Sequence, residues 1–145
     1  MPRALLIFSI LFLFALPVFA NVVINEVAWM GTATSASDEW IELFSDTNQN
    51  LSGWSLSTED GGINLHLKGT TTAGGYFLIE RTDDNSVPGI KADFIAPFGK
   101  GLSNDGEILI LKDGSGNVVD KVDGSNGWAI GGDKDSKNLT LNPGR

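Results

Sequence analysis

One long apolar run opens the chain, from Ala4 to Leu16, and nothing like it recurs. After Pro17 the hydrophobic positions come in short bursts, and no stretch keeps apolar residues at helical spacing long enough for a helix. Runs rich in Val, Ile, Leu, Phe and Trp alternate instead with clusters of Gly, Asp, Asn and Ser, the pattern of strands broken by turns. It predicts strands near Val22–Ala28, Glu39–Phe44, Gly53–Ser57, Ile63–Leu67, Tyr76–Glu80, Ile90–Phe94, Glu107–Lys112, Val118–Asp123 and Asn138–Leu141. Several short strands at this spacing make an all-β sandwich.

The punctuation supports the same reading. Asp60-Gly61-Gly62 and Ala73-Gly74-Gly75 supply residues that tolerate the positive φ of tight reversals. Asp113-Gly114-Ser115-Gly116 joins ILIL to NVVDKV, the strongest hairpin signal in the chain. In WIELF, Trp40, Glu42 and Phe44 share one face and Ile41 and Leu43 the other. Tyr76–Ile79 and Ile108–Leu111 are apolar on both faces, as central strands covered on both sides would be. Three segments stay irregular: Met30–Asp38, Arg81–Gly89 and Gly124–Lys137. Loops at the end of a rigid sandwich are where a binding site is expected. No internal repeat or interdomain linker is visible.

The opening run has thirteen residues, short of the ~20 needed to span a hydrocarbon core. Arg3 precedes it, and Val18-Phe19-Ala20 ends it as a signal peptidase requires, so residues 1–20 read as a signal peptide cleaved before Asn21. The other reading, a buried core helix, does not account for the basic start or the Val-x-Ala end. No Cys follows the run, which excludes a lipid-modified N-terminus. The expected product is a 125-residue domain, 21–145, exported out of the cytoplasm.

Composition narrows the chemistry. With no Cys, an exported fold must rest on packing and sheet hydrogen bonds, and thiolate metal sites and thiol catalysis are excluded. The whole chain carries −8, and loss of Arg3 makes the exported domain −9. Such a chain repels a phosphate backbone, and its few Lys residues are scattered, so direct nucleic-acid binding is disfavoured. The acidity itself reads as solubility.

The order of motifs resembles a known family. VVINEVAWMG is followed by DEWIELF, LSGWSL, LKGTTTAGGYFLIERTDD and LSNDGEILILKDGSGNVVDKVDGSNGW. This succession, over Asn21–Trp128, is similar to the lamin-tail domain in the version found on exported bacterial proteins. The resemblance implies an immunoglobulin-like β-sandwich and a non-catalytic module for binding or attachment. It implies a buried core role for Trp54, a turn at Gly74 and Gly75, and an approach through Leu102 and Asn104-Asp105-Gly106 to the strand at Glu107.

Catalysis has little support. His66 is the only histidine and falls inside INLHL, where a half-buried sheet residue is expected. A serine triad would need it as base beside a nucleophile, and Ser115 lies in a hairpin turn. Glu26 and Glu42 are the best carboxylate pair for glycoside chemistry, but strand glutamates are usually solvated or hydrogen-bonded. Asp113-x-Ser115-x-Asn117 starts like a calcium loop, then fails at Val118 and Gly124, leaving the hairpin turn as the better reading. Asp83-Asp84-Asn85 and Asp133-x-Asp135 would have to meet from separate loops to bind calcium. No cofactor and no metal is expected. Asn50-Leu51-Ser52 and Asn138-Leu139-Thr140 match glycosylation sequons, which matter only in a pathway that glycosylates.

Trp128 is the candidate partner-binding residue. It sits beside Gly127 and a small apolar patch, where an exposed ring would anchor a sugar, peptide or protein. The competing and preferred reading folds it back as a lid over the open end of the core. Trp29 and Met30 lean further toward packing. The expected function is an exported, non-catalytic attachment module acting on an envelope or extracellular macromolecule, protein or glycan. The alternatives are a carbohydrate-binding or adhesive sandwich with Trp128 as platform, and an accessory domain of a truncated envelope hydrolase.

Overall fold

The computed structural model describes residues 22–128 and 140–141. The expected leader, Asp133, Asp135 and the second sequon's Asn138 lie outside the described residues. Nine strands appear among the described ones: β1 Val22–Ala28, β2 Trp40–Ser45, β3 Ser55–Thr58, β4 Asn64–His66, β5 Gly75–Arg81, β6 Phe94–Ala96, β7 Ile108–Lys112, β8 Val118–Asp123 and β9 Thr140–Leu141. They form a five-stranded sheet, β6-β5-β2-β1-β9, and a four-stranded sheet, β4-β3-β7-β8. The two sheets pack face to face as an immunoglobulin-like sandwich.

Alternation decides which side of each strand enters the core. Ile24 and Val27 of β1, Ile41 and Leu43 of β2, and Phe77 and Ile79 of β5 point inward from the larger sheet. Leu56 of β3, Leu65 of β4, Leu109 and Leu111 of β7 and Val122 of β8 meet them from the smaller one. Trp54 joins this core, and Gly61 and Gly74 sit at positive φ in the two expected turns. The β7–β8 hairpin closes where expected, with the Asp113 N–H donating to Asn117 O at 2.9 Å.

Carboxylates fasten this frame at long range. Where β1 bulges between Ile24 and Glu26, the Ile24 N–H donates to Asp120 Oδ2 of β8, 2.8 Å away in the opposite sheet. Glu39, just before β2, accepts the Leu102 N–H at 2.9 Å and pairs with Arg81 at 3.0 Å. It thereby ties the start of β2 to the end of β5. Burial raises the Glu39 pKa, against the lowering pull of the Leu102 N–H and the Arg81 charge.

One strand is shifted from its expected place. The reading Ile90–Phe94 becomes β6 at Phe94–Ala96, parallel to β5 with Ile79 opposite Phe94. Pro88-Gly89 folds the preceding stretch into a turn, with the Ile90 N–H donating to Val87 O and the Ile90 side chain exposed. Asp93 then occupies β5 before the ladder begins: its carboxylate accepts the Leu78 N–H at 2.8 Å. The expected cover on both sides of Tyr76–Ile79 holds for Leu78 on the outer side, buried like Phe77 and Ile79, but not for Tyr76, which is exposed near the start of the strand.

Candidate functional site

The outer face of the five-stranded sheet reads as three rows across its strands. Val23, Phe44 and Tyr76 form one row, Glu26, Glu42 and Leu78 the second, and Ala28, Trp40, Glu80 and Ile95 the third. Ile41 and Leu43 fill the core, so the pleat leaves Trp40 on the outside. Two irregular segments rise on either side of it, 31–38 after β1 and 85–88 after β5. Between them lies an open groove of about 540 Å³, with Trp40 and Ala28 among its lining residues. That volume is in the ~300–1,000 Å³ range of small-ligand sites.

Each wall is built from short-range hydrogen bonds. In the first, Thr32 N–H donates to Ser35 O at 2.8 Å, and the Thr32 and Thr34 hydroxyls both donate to Asp38 Oδ2. Gly31 starts this wall at φ +66°, where a Cβ would stand 2.5 Å from Ser35 O, so only glycine fits without rearrangement. The second wall hangs on Glu80. Its fully buried carboxylate accepts the Ser86 N–H at 3.1 Å and the Val87 N–H at 2.9 Å. Asp84 adds an acceptor for Ala92 N–H at 2.7 Å, fixing the outgoing end of the same segment. Ser86 is buried in the groove lining, and its hydroxyl has no protein partner.

The residues singled out from sequence fall in different places. Glu26 and Glu42 are brought together as direct cross-strand neighbours beside the β1 bulge. Asn25 Nδ2 donates to Glu42 Oε1 at 2.7 Å. Burial raises the Glu42 pKa, the Asn25 bond opposes it, and the Glu26 charge adds to the rise. His66 is corrected: it is exposed on β4, the edge strand of the smaller sheet, and not half-buried. Asp113 serves the hairpin, accepting the N–H groups of Ser115 and Asn117 and the Asn117 side-chain amide. Those bonds, the Asn117 side chain first, hold its pKa below the ordinary carboxylate value.

Trp128 packs against the core. Its ring stacks on the buried Trp29 at 5.2 Å between centroids, and its Nε1–H donates to Ser103 O at 2.8 Å. Gly124 allows this approach, since a Cβ there would meet the indole at 2.8 Å. The ring stays partly exposed. Trp29 and Trp128 therefore form one stacked pair, separate from the residues lining the groove.

Sequence reasoning missed Trp40, Asp38 and Glu80 as site residues. The available signal was combined: an aromatic on the face opposite Ile41 and Leu43, flanked in the fold by two of the three irregular segments.

Comparison with known proteins agrees with this architecture. A family model, the Lamin Tail Domain, matches residues 17–125. The chain belongs to the lamin tail domain family. No curated protein matches it. The lamin-tail fold, all-β and immunoglobulin-like, is that of a non-catalytic β-sandwich module.

Proposed function

We propose that this lamin-tail protein is an exported attachment module, holding an envelope or extracellular macromolecule without transforming it. The observation that carries the reading is the groove over Trp40: a recess walled by two irregular segments on an otherwise regular sheet face. Such a recess on a rigid sandwich is a recognition geometry. Membership of a non-catalytic family supports binding as the activity. The basic start, short apolar run and Val-x-Ala end of residues 1–20 support export.

Expression of the full chain tests both halves. The expected result is processed protein outside the cytoplasm beginning at Asn21, which sediments with isolated envelope material. Retention of Met1 on a membrane-bound product would overturn export with cleavage. Processed protein that stays in the supernatant with every envelope fraction would overturn attachment.

A further inference from the structure

We infer that the groove over Trp40 takes a neutral pyranose sugar, so that the module attaches through glycan. This deepens the attachment reading and rests on it. The lining combines an indole with short polar side chains: Thr32, Asp38, Asn85 and Ser86, with Pro88 at the rim. A sugar ring presents a flat patch of C–H groups on one side and hydroxyls around its edge. The C–H patch suits an aromatic face, and the edge needs groups that accept and donate within a small space. Asn85 offers both in one planar group. Both bonds from the Thr32 and Thr34 hydroxyls go to Asp38 Oδ2, which leaves Oδ1 with its accepting capacity. Ser86 adds a buried hydroxyl that no protein group satisfies, in a molecule where the other groove carboxylate and hydroxyls are bonded.

Charge selects among occupants. Among the described residues no Lys, Arg or His lines the groove, and Asp38 is a carboxylate in a chain of net charge −8. Sulfated, phosphorylated or uronic-acid glycans would meet repulsion, with no compensating cation among the described lining residues. A cationic side chain over Trp40 is the competing chemistry. It fits less well, because only one aromatic lines the recess among the described residues. The two walls are also held by hydrogen bonds donated to Glu80 and Asp38, so the recess is formed before any ligand enters. That preorganisation limits the ordering cost of binding a small rigid ring.

Titration of the full chain, as isolated from culture, with cellotetraose, chitotetraose and mannotetraose tests this by NMR. Tetragalacturonate and tetralysine serve as the anionic and cationic probes. At least one neutral saccharide is expected to shift the Trp40 indole N–H and the Asn85 amide, while tetragalacturonate does not. Trp40→Ala should abolish the shift. Because Trp40→Ala also removes a half-buried ring, Asn85→Ala on the exposed rim provides the second variant, expected to weaken binding about tenfold with an unchanged spectrum elsewhere. Tyr76→Ala, on the same face but outside the groove, should leave affinity unaltered. The inference is overturned if no neutral saccharide moves Trp40. It is equally overturned if only tetralysine does so and Asp38→Asn abolishes that effect, or if the shifts centre on Trp128. The envelope sedimentation assay separates the two proposals. Sedimentation without saccharide binding leaves attachment standing and removes the sugar, and saccharide binding without sedimentation does the reverse.

Discussion

At the scale of single residues, the aromatic side chains divide by what their rings replace. Trp54 is buried in the core, with its backbone held between Leu51 O and the Leu67 N–H. Trp54→Ala should cost ~3–5 kcal/mol, the usual range for truncating a large core aromatic. Denaturant unfolding checks this, and a fully stable variant would remove Trp54 from the core. Trp128 is only partly buried, so its loss should cost less. Its stack on Trp29 contributes ~0.5–1.5 kcal/mol beyond area. A double-mutant cycle with Trp29→Ala should return a coupling of that size, and additivity would show that the two rings act independently. Asp120 works differently, as an acceptor. Asp120→Ala would leave the Ile24 N–H buried without its partner, at a cost of about 1–3 kcal/mol. Hydrogen exchange at Ile24 should accelerate in that variant, and unchanged protection would show that the amide had found another acceptor.

At the scale of elements, the strands were legible in the sequence because their information is local. Alternation in WIELF assigns faces, and Gly pairs mark reversals, so β2, β7, β8 and the turns between them follow from neighbouring residues. The carboxylate fastenings were not legible, for the opposite reason. Asp120 meets Ile24 across 96 positions and Glu39 meets Leu102 across 63, and no local pattern encodes such pairs. Acidity read as solubility therefore concealed a structural use: Glu39, Glu80, Asp84, Asp93 and Asp120 all accept backbone N–H groups. The shift of β6 has the same origin, because Asp93 claims the Leu78 N–H before pairing begins. The groove was half legible: two irregular segments were marked, but their meeting over Trp40 depends on the order β5-β2-β1. Glu80 shows how an element depends on such a fastening. In Glu80→Ala the Ser86 and Val87 N–H groups lose their acceptor, and the segment 83–88 should detach before the sandwich unfolds. Limited proteolysis should then cut within that segment while β5 stays protected. A variant as resistant as the parent would mean that the wall is held by packing alone.

At the scale of the whole molecule, two groups of carboxylates pull stability in opposite directions with pH. Glu39, Glu42 and Glu107 have pKa values raised above the ordinary 4.5, in each case first by burial. Between that ordinary value and the raised one, the folded protein binds more protons than the unfolded chain, so stability falls as pH rises through the window. Asp60, Asp113 and Asp123 are lowered below the ordinary 3.8, chiefly by the side chains of Lys100, Asn117 and Ser125. Their contribution is complete above 3.8 and is lost as pH falls through the lowered values. Asp60 and Asp123 are exposed and Asp113 partly so, so solvent screening keeps their share small. The net charge of −8 at neutral pH adds self-repulsion on the alkaline side. The thermal midpoint should therefore peak in mildly acidic solution, near the two ordinary values, and decline toward neutrality as well as toward strong acid. Glu107 sharpens the test, because its Oε2 is buried without a partner while Oε1 accepts the Ser103 N–H at 2.7 Å. Glu107→Gln keeps that acceptor and removes the ionisation, so the decline between mildly acidic and neutral pH should become shallower. A midpoint that climbs steadily from acid to neutral pH would mean that the buried glutamates ionise at no cost, and that the desolvation assigned to them is wrong.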